Sequence, residues 1–461
     1  MNPLQNSLGL KGILALLLLA GLFFRFTNLD VKVYQHDEVM TSLRVAGTQA
    51  QEIRKEVLAK GEVGIRELQN YLRLGPETTL YGTWRALAGD DPKHPPLYYS
   101  LAWMWVQVFG DSVSAIRSLS AVISLLTLGC FYWLSRELFA SVTIAWMSVI
   151  LIALSPFHVL YAQEARQYSL WALVTVFSSV ALLRALRVQT WRSWGVYGAA
   201  VAAGLHTHIL FLLVVFAHCL YVVGLWWWQP STIKKYGFPQ EVVAYGVATF
   251  GAFLLFTPWA LLIVFQLPML HDNTRWITRE FGWLYHVKHW ALGMSTLFFD
   301  PSGGTVLSAR ASRESFMTYW IRLPVLLLIG YACFYLYRRT PQRVWFFVLS
   351  LIGGTIFPLI LTDLVTGWRS STPFRYLTPG YMGMQLAVAY LLATEISAPS
   401  SLRQKGWQVV TILLITAAIA SCARNLRAEV WWNKEASYGL PSTTVVDRKM
   451  RYSRDHTEGR S

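Results

Sequence analysis

The chain has 461 residues, of which 54% are hydrophobic and 14% are charged, and its mean hydropathy is +0.38. Soluble domains carry about 25% charged residues, so this composition argues against a soluble protein. The apolar residues come in blocks of about 20, the length of a membrane-spanning helix, and predict an all-α polytopic membrane protein. We attribute the net charge of +15 to basic loops facing anionic lipid, and expect no nucleic-acid partner.

About eleven apolar segments are predicted membrane spans. They cover residues 8–26, 114–134, 138–156, 166–186, 194–205, 206–228, 241–263, 318–337, 342–361, 374–394 and 406–423. The first lacks a small-residue cleavage site and is interpreted as a retained helix. The pair within 195–228 is interpreted as two short helices that break near His206. A further apolar segment, 96–109, is shorter than a usual span and is interpreted as re-entrant or interfacial.

The distribution of Lys and Arg predicts the orientation, because basic loops face the cytoplasm. The clearest basic loops contain Arg184, Arg187 and Arg192; Lys234 and Lys235; Arg338, Arg339 and Arg343; and Arg403 and Lys405. The large first loop, 27–95, is then extracytoplasmic, and its residues 49–90 predict amphipathic helices on the membrane surface. Residues 1–423 form one transmembrane domain of the plasma (inner) membrane, and 424–461 form a polar, basic tail.

Four polar motifs fall at the extracytoplasmic ends of the predicted spans, and we expect them to converge. They are Asp37-Glu38, Asp90-Asp-Pro-Lys93-His94-Pro-Pro, Tyr161-Ala-Gln-Glu164-Ala-Arg166-Gln-Tyr168 and Thr372-Pro-Phe-Arg375-Tyr376. Adjacent carboxylates at a membrane surface are costly unless they are paired, hydrated or used. The convergence of such groups from distant parts of the chain predicts an active site.

The residue types suit transfer of a sugar from a phosphate. A carboxylate can act as the general base that takes a proton from the attacking acceptor. Arginine binds phosphate through two parallel hydrogen bonds, which makes Arg375 and Arg166 candidate phosphate ligands, and Lys93 could add a point charge. Glu164 could hold the acceptor, or share a divalent cation with Asp37.

Each of these residues also has a structural explanation. Asp37 and Glu38 could be hydrated acids beside the membrane, Glu164 and Arg166 could form an ion pair at a helix start, and Arg375 could reach lipid headgroups. His94 could hold a rigid turn before its two prolines, and three tyrosines could be interfacial anchors: Tyr161, Tyr168 and Tyr376. His206 and His208 diverge on a helix, so we expect no metal pair there. The four cysteines lie in apolar segments and are expected to be core thiols.

Several motifs together resemble one family of membrane enzymes. They are Asp37-Glu38, His94-Pro-Pro-Leu-Tyr-Tyr99, Phe109-Gly-Asp111, Arg117-Ser-Leu-Ser-Ala, Ser155-Pro-Phe-His158, Tyr161-Ala-Gln-Glu164-Ala-Arg166-Gln-Tyr168-Ser-Leu170 and Phe374-Arg375-Tyr376-Leu-Thr-Pro379. This set, spread over roughly residues 10–390, is similar to the polyprenyl-phosphate-sugar-dependent protein O-mannosyltransferases and aminoarabinose transferases. The resemblance implies the GT-C glycosyltransferase fold, a polyprenyl-phosphate sugar donor and an extracytoplasmic active site.

By that family pattern Asp37 matches the catalytic base, Glu164 a second acidic residue of the site, and Arg375 a contact to the donor phosphate. The acceptor could be a glycan, a lipid or a protein. The aminoarabinose enzymes carry a sizeable periplasmic domain where this chain has a short tail, so acceptor recognition is expected to differ. A transporter or flippase of lipid-linked sugars is the first rival hypothesis, although no inverted repeats are evident. A non-catalytic membrane scaffold is the second.

The topology makes a direct prediction. Reporter fusions after residues 160 and 310 should report an extracytoplasmic position, and a fusion at Arg338 a cytoplasmic one, because the basic loops set the orientation. A cytoplasmic signal at residue 160 would separate Glu164 from Asp37 and contradict a single site.

Overall fold

The computed structural model describes residues 8–60, 64–75, 78–228, 240–268, 276–278, 280–300, 320–399 and 401–428. In these ranges all regular structure is helical. The first half contains α1 (Leu8–Phe26), α2 (His36–Val45), α3 (Ala50–Lys60), α4 (Ile65–Asn70), α5 (Leu80–Asp90), α6 (Leu97–Phe109), α7 (Val113–Phe139), α8 (Val142–Ala153), α9 (Pro156–Ala162) and α10 (Tyr168–Val188). The second contains α11 (Trp191–Leu205), α12 (Phe211–Trp227), α13 (Gln240–Phe265), α14 (Trp283–Ser295), α15 (Leu323–Arg339), α16 (Gln342–Thr366), α17 (Thr378–Ile396) and α18 (Leu402–Leu426).

Helices occupy the described parts of the predicted spans, which confirms the all-α membrane architecture, whereas the predicted number of about eleven spans is not confirmed. In the described ranges, five helices are long and apolar enough to cross a membrane: α7, α10, α13, α16 and α18. The bent pair of α8 and α9 gives a sixth if it counts as one span, and α12 is apolar but shorter. The predicted break near His206 is also found, between α11 and α12. Of the predicted tail, 424–461, the part beyond residue 428 lies outside the described residues.

The centre of the bundle is α17, which is buried on almost every side and packs against α8, α15, α16 and α18. On one flank α10 packs between α7 and α11, and α12 packs against α16. Small residues permit close contact between these helices. A Cβ added to Gly354 in α16, for example, would lie 2.8 Å from Ala217 in α12.

The predicted span 138–156 is not a straight helix. It divides into α8 and α9, which meet at a 60° bend before Pro156. The freed carbonyl groups at the end of α8 are satisfied by Arg25, a buried residue of α1, which donates to the oxygens of Ile152 at 3.1 Å and Ala153 at 2.5 Å. A cation at a helix carboxyl end also complements the helix dipole. The bend therefore turns α9, whose residues are all buried, by 60° relative to α8.

The two ends of the bundle differ in charge. At one end, exposed or half-exposed ion pairs join Arg187 to Glu137 at 2.7 Å and Arg403 to Glu395 at 2.6 Å. This end carries three of the predicted cytoplasmic basic loops; Lys234 and Lys235 lie outside the described residues. The other end carries the predicted polar motifs, covered by α2 to α6.

The short helix α6 begins at this polar end, directly after His94, and runs against the first turns of α7. The Tyr98 hydroxyl lies 2.9 Å from that of Ser120, and the Trp105 indole donates to the Ala115 carbonyl at 2.9 Å. Arg117, in the first turns of α7, also reaches the polar motifs. The segments before and after α6 therefore lie at the same end of the bundle. This arrangement agrees with the interpretation of 96–109 as a segment that does not change sides.

Candidate active site

Asp37 and Glu38 lie in the first turn of α2. The sequence predicted an acid pair on a loop; the structure shows a helix start, where carboxylates are stabilised by the dipole. The Glu38 carboxylate reaches back to accept a hydrogen bond from the Gln35 backbone N–H at 3.3 Å, as in a capping box. Adjacent helical residues point about 100° apart. The Glu38 side chain is therefore buried in the protein, whereas Asp37 is partly exposed.

Glu38 forms a two-point ion pair with Arg117, at 2.8 Å to Nε and 2.7 Å to one terminal nitrogen. Both side chains are almost completely buried. Arg117 also donates to three backbone carbonyls of the segment between α1 and α2: those of Leu29, Lys32 and Val33, at 2.6, 3.0 and 3.1 Å. This pair thus fixes the end of α1 and the start of α2 against α7.

The same carboxylate fixes the turn that carries Glu164. Glu38 accepts a hydrogen bond from the Ala165 backbone N–H at 2.9 Å. The Gln163 amide donates to the Phe24 carbonyl at 2.8 Å and accepts from the Lys32 ammonium at 3.0 Å. Glu164 itself is buried, in the electrostatic field of two arginines, Arg117 and Arg166.

Arg166 connects this turn to α2 and α6. One terminal nitrogen donates to the Asp37 carbonyl at 3.2 Å, the Thr41 hydroxyl at 3.3 Å and the Tyr99 hydroxyl at 3.0 Å. The other donates to His94 Nε2 at 3.2 Å. The guanidinium is therefore held mainly by protein groups.

His94 is a neutral member of this network. Arg166 can only donate, so Nε2 accepts and Nδ1 carries the hydrogen. The Gln167 amide nitrogen is placed 2.9 Å from Nδ1, and it can only donate. This tautomer therefore requires the amide to be turned over, so that its oxygen, which has no hydrogen-bond partner, accepts from Nδ1–H. Burial, followed by the charges of Arg166, Arg44 and Lys93, holds the pKa of His94 well below its usual value of 6.5.

Asp91 is the anion beside His94. It pairs with Arg44 at 3.3 Å and with Lys93 at 3.4 Å. Burial lowers the pKa of Lys93, and Asp91 opposes that shift. Arg44 also donates to the Tyr99 hydroxyl at 3.2 Å, so Tyr99 joins Arg44 to Arg166.

Arg375 approaches from the opposite side of the site, on a short 3₁₀ helix before α17 (Phe374–Leu377). Its guanidinium lies over three aromatic rings, Tyr376 at 5.3 Å, Tyr168 at 5.6 Å and Trp276 at 5.8 Å. It donates no hydrogen bond to any residue in the described ranges, and its Nε is buried without a partner. Asp37 is one of the charges that act on it.

The segment before Arg375 is rigidly anchored. Asp363, in the last turns of α16, accepts hydrogen bonds from the backbone N–H groups of Ser370 at 2.5 Å and Ser371 at 2.7 Å, and from the Ser371 hydroxyl. Beyond Arg375, the Thr378 hydroxyl donates to its carbonyl at 2.8 Å. These bonds set the direction in which the arginine enters the site.

The ten residues singled out from the sequence all lie in this one cluster. The set is Asp37, Glu38, Lys93, His94, Tyr161, Glu164, Arg166, Tyr168, Arg375 and Tyr376. Tyr161 and Tyr168 are buried with ring centroids 5.3 Å apart, and the Arg375 guanidinium lies over the Tyr168 ring. The sequence analysis did not predict the structural roles of four further residues of the cluster. They are Arg117, Arg44, Tyr99 and Asp91. One signal was available: an arginine inside an otherwise apolar span, such as Arg117, needs a buried partner.

Comparison with known proteins finds similar chains. The model of the dolichyl-phosphate-mannose-protein mannosyltransferase family matches residues 93–262. The crystal structure of apo ArnT from Cupriavidus metallidurans aligns with a TM-score of 0.50 at 13% identity, covering 91% of this chain and 75% of that one. This is the GT-C membrane glycosyltransferase fold.

The apo oligosaccharyltransferase of Archaeoglobus fulgidus shares the GT-C fold. It aligns with a TM-score of 0.53 at 12% identity, covering 94% of this chain and 57% of that one. No curated protein matches the sequence significantly. The resemblance inferred from the motifs is confirmed: the family model matches residues 93–262, and the two structures share the fold.

No cluster of three or more His, Cys, Asp or Glu side chains within the described ranges could hold a metal ion. A cation bound in this GT-C site by Asp37 and Glu164 would therefore have two protein carboxylates, and water or substrate oxygens as its other ligands.

The buried ion pair makes a stability prediction. Glu38→Gln should lower the thermal unfolding temperature of the detergent-purified protein markedly, because loss of one partner of a buried pair costs about 3–5 kcal/mol. Combining it with Arg117→Gln should recover part of the loss, since no uncompensated charge then remains. The matched control is Glu137→Gln, whose partner Arg187 is exposed and whose effect should stay below about 1 kcal/mol. Equal unfolding temperatures for Glu38→Gln and the control would contradict the anchoring role of the pair.

Proposed function

We propose that this protein is an integral membrane glycosyltransferase that moves a sugar from a polyprenyl-phosphate donor to an acceptor on the extracytoplasmic face. The observation that carries the proposal is the partly exposed carboxylate of Asp37 in the same cluster as Arg375, an arginine without a hydrogen-bond acceptor in the described ranges. A base and an available phosphate ligand are the two groups that single-displacement transfer requires.

Arg375 is the strongest of the three candidate phosphate ligands. Arg166 already donates to four protein groups, and Lys93 is paired with Asp91. Arg375 lies over three aromatic faces and donates no hydrogen bond within the described residues, so a phosphate can take its fork of N–H groups without breaking any hydrogen bond seen there. Arg166 and Lys93 would add positive potential nearby.

We propose that the two adjacent acids, Asp37 and Glu38, have different roles. Each Glu38 oxygen already accepts two hydrogen bonds, from Arg117 and from a backbone N–H, so Glu38 would position the site. Asp37 would be the base, and Glu164 would orient the acceptor from the neighbouring turn. Glu38 holds together the segments that carry Asp37 and Glu164, which favours a fixed distance between these two carboxylates.

The reaction is then a single displacement. The acceptor oxygen or nitrogen attacks the anomeric carbon while the bond from that carbon to the phosphate oxygen breaks. The acceptor proton passes to Asp37, and the leaving polyprenyl phosphate keeps the electron pair, with its charge balanced by Arg375. Attack opposite the leaving group inverts the anomeric centre. A cation shared by Asp37 and Glu164 would supply further charge stabilisation for the phosphate.

The test of the base is Asp37→Asn. The amide keeps the size of the side chain but cannot take the proton, so turnover should fall about 10²–10⁴-fold. Asp30→Asn, an exposed acid seven residues earlier, is the control and should leave turnover unchanged. The anomeric configurations of donor and product, compared by NMR, should be opposite. A retained configuration, or near-normal turnover of the purified Asp37→Asn protein, would refute the assignment and favour a transporter or a scaffold.

The test of the phosphate ligand is Arg375→Ala. Loss of a charge-assisted hydrogen bond should raise the KM for the donor about tenfold or more. Arg375→Lys should recover only part of it, because an ammonium group cannot make the two-point contact. Arg343→Ala, an exposed arginine at the opposite end of the bundle, serves as control. Unchanged donor kinetics in both Arg375 variants would identify this residue as a structural or lipid-facing arginine.

A further inference from the structure

His208 lies in the turn between α11 and α12, and its ring faces the candidate active site. The imidazole stacks on the Trp171 indole with centroids 4.1 Å apart and planes 11° from parallel. Its Nδ1 accepts a hydrogen bond from the Leu210 backbone N–H at 3.1 Å. Stacking and this bond together fix the plane and the rotation of the ring.

The hydrogen bond to Nδ1 determines the tautomer. A neutral imidazole that accepts at Nδ1 carries its hydrogen on Nε2. An imidazolium has no acceptor nitrogen, so the hydrogen bond from Leu210 also shows that the ring is neutral. Nε2–H donates to no residue in the described part of the chain, although the side chain is only 5% exposed.

The neighbours of His208 are those of Arg375. The His208 ring lies 5.8 Å from Tyr376 and 6.3 Å from Tyr168, centroid to centroid. The Arg375 guanidinium lies over the same two rings. The His208 N–H group and the Arg375 guanidinium, neither of which donates to a described residue, therefore share the same two aromatic rings.

We propose that His208 is a second ligand of the donor phosphate, donating a hydrogen bond from Nε2–H to a phosphate oxygen beside Arg375. This inference rests on the function proposed above. A neutral donor suits the position, since a third cation between Arg375 and Arg166 would be repelled by both. A donor whose orientation is already fixed also loses little entropy when the ligand binds.

Substitutions can separate the hydrogen bond from the stacking. His208→Phe keeps an aromatic ring on Trp171 but has no N–H. His208→Gln places an amide N–H near the position of Nε2. His208→Met fills a similar volume without a donor and repeats the comparison should phenylalanine not be accommodated. The control is His206→Phe, because His206 turns its Nδ1 to the Ala202 carbonyl at 2.9 Å and packs its ring on Phe256.

The experiment measures binding of a polyprenyl phosphate, and of the corresponding polyprenol, to the full-length protein in nanodiscs. The wild type should prefer the phosphate. His208→Phe and His208→Met should bind the phosphate about tenfold or more weakly, while polyprenol affinity and unfolding temperature stay unchanged. His208→Gln should retain most of the affinity, and His206→Phe all of it.

Wild-type phosphate affinity in both donor-free variants would overturn the proposal. So would an equal loss of affinity for phosphate and polyprenol, which would assign His208 a packing role. Failure of the wild type to distinguish the two lipids would instead count against the proposed function itself. Normal discrimination by the wild type, with no effect of His208, would leave that function standing and reject the inference alone.

Discussion

The buried ion pair between Glu38 and Arg117 is the interaction on which the polar end of the molecule depends. Through it, α2, α7, the end of α1 and the turn that carries Glu164 are held in one arrangement. Such a pair is favourable only when every remaining donor and acceptor is satisfied, and here three backbone carbonyls and two backbone N–H groups complete both partners. Because the pair is complete, it is a rigid reference for the less constrained groups around it.

Some side chains of the cluster are hydrogen-bonded to other protein groups, and others have donors that a ligand can use. This difference explains how one cluster can both stabilise the fold and bind a substrate. Arg166, Arg44 and Lys93 are bound to protein acceptors and set a positive potential, whereas Arg375 and the Nε2–H group of His208 donate to no group among the described residues. A contact with an aromatic face stabilises a cation by about 0.5–2 kcal/mol, less than a charged hydrogen bond to phosphate offers. The aromatic wall therefore holds Arg375 in place while leaving its N–H groups open to an anion.

The bend between α8 and α9 gives the site its depth. Arg25 satisfies the carbonyls that the bend exposes, so a broken helix is tolerated inside the bundle. The turn at 163–167 then contacts α2 in the cluster, through the Ala165 N–H and the Arg166 side chain. Without that bend, Glu164 and Arg166 would lie at the surface of a straight span, and Glu38 would have no backbone partner there.

The helical membrane architecture could be predicted without a structure, because apolar runs of span length and basic loops are local properties of the chain. It also identified the polar motifs that meet, including Asp37, Glu164 and Arg375, since charge is costly near a membrane unless it has a use. The tertiary contacts show which charges are used up in holding the fold together. The sequence analysis did not single out Arg44, named Arg117 only as part of a family motif, and considered His208 only as half of an improbable metal pair. Whether a side chain is bound to other protein groups or can bind a ligand depends on residues up to hundreds of positions away in the sequence. No local sequence pattern encodes those contacts.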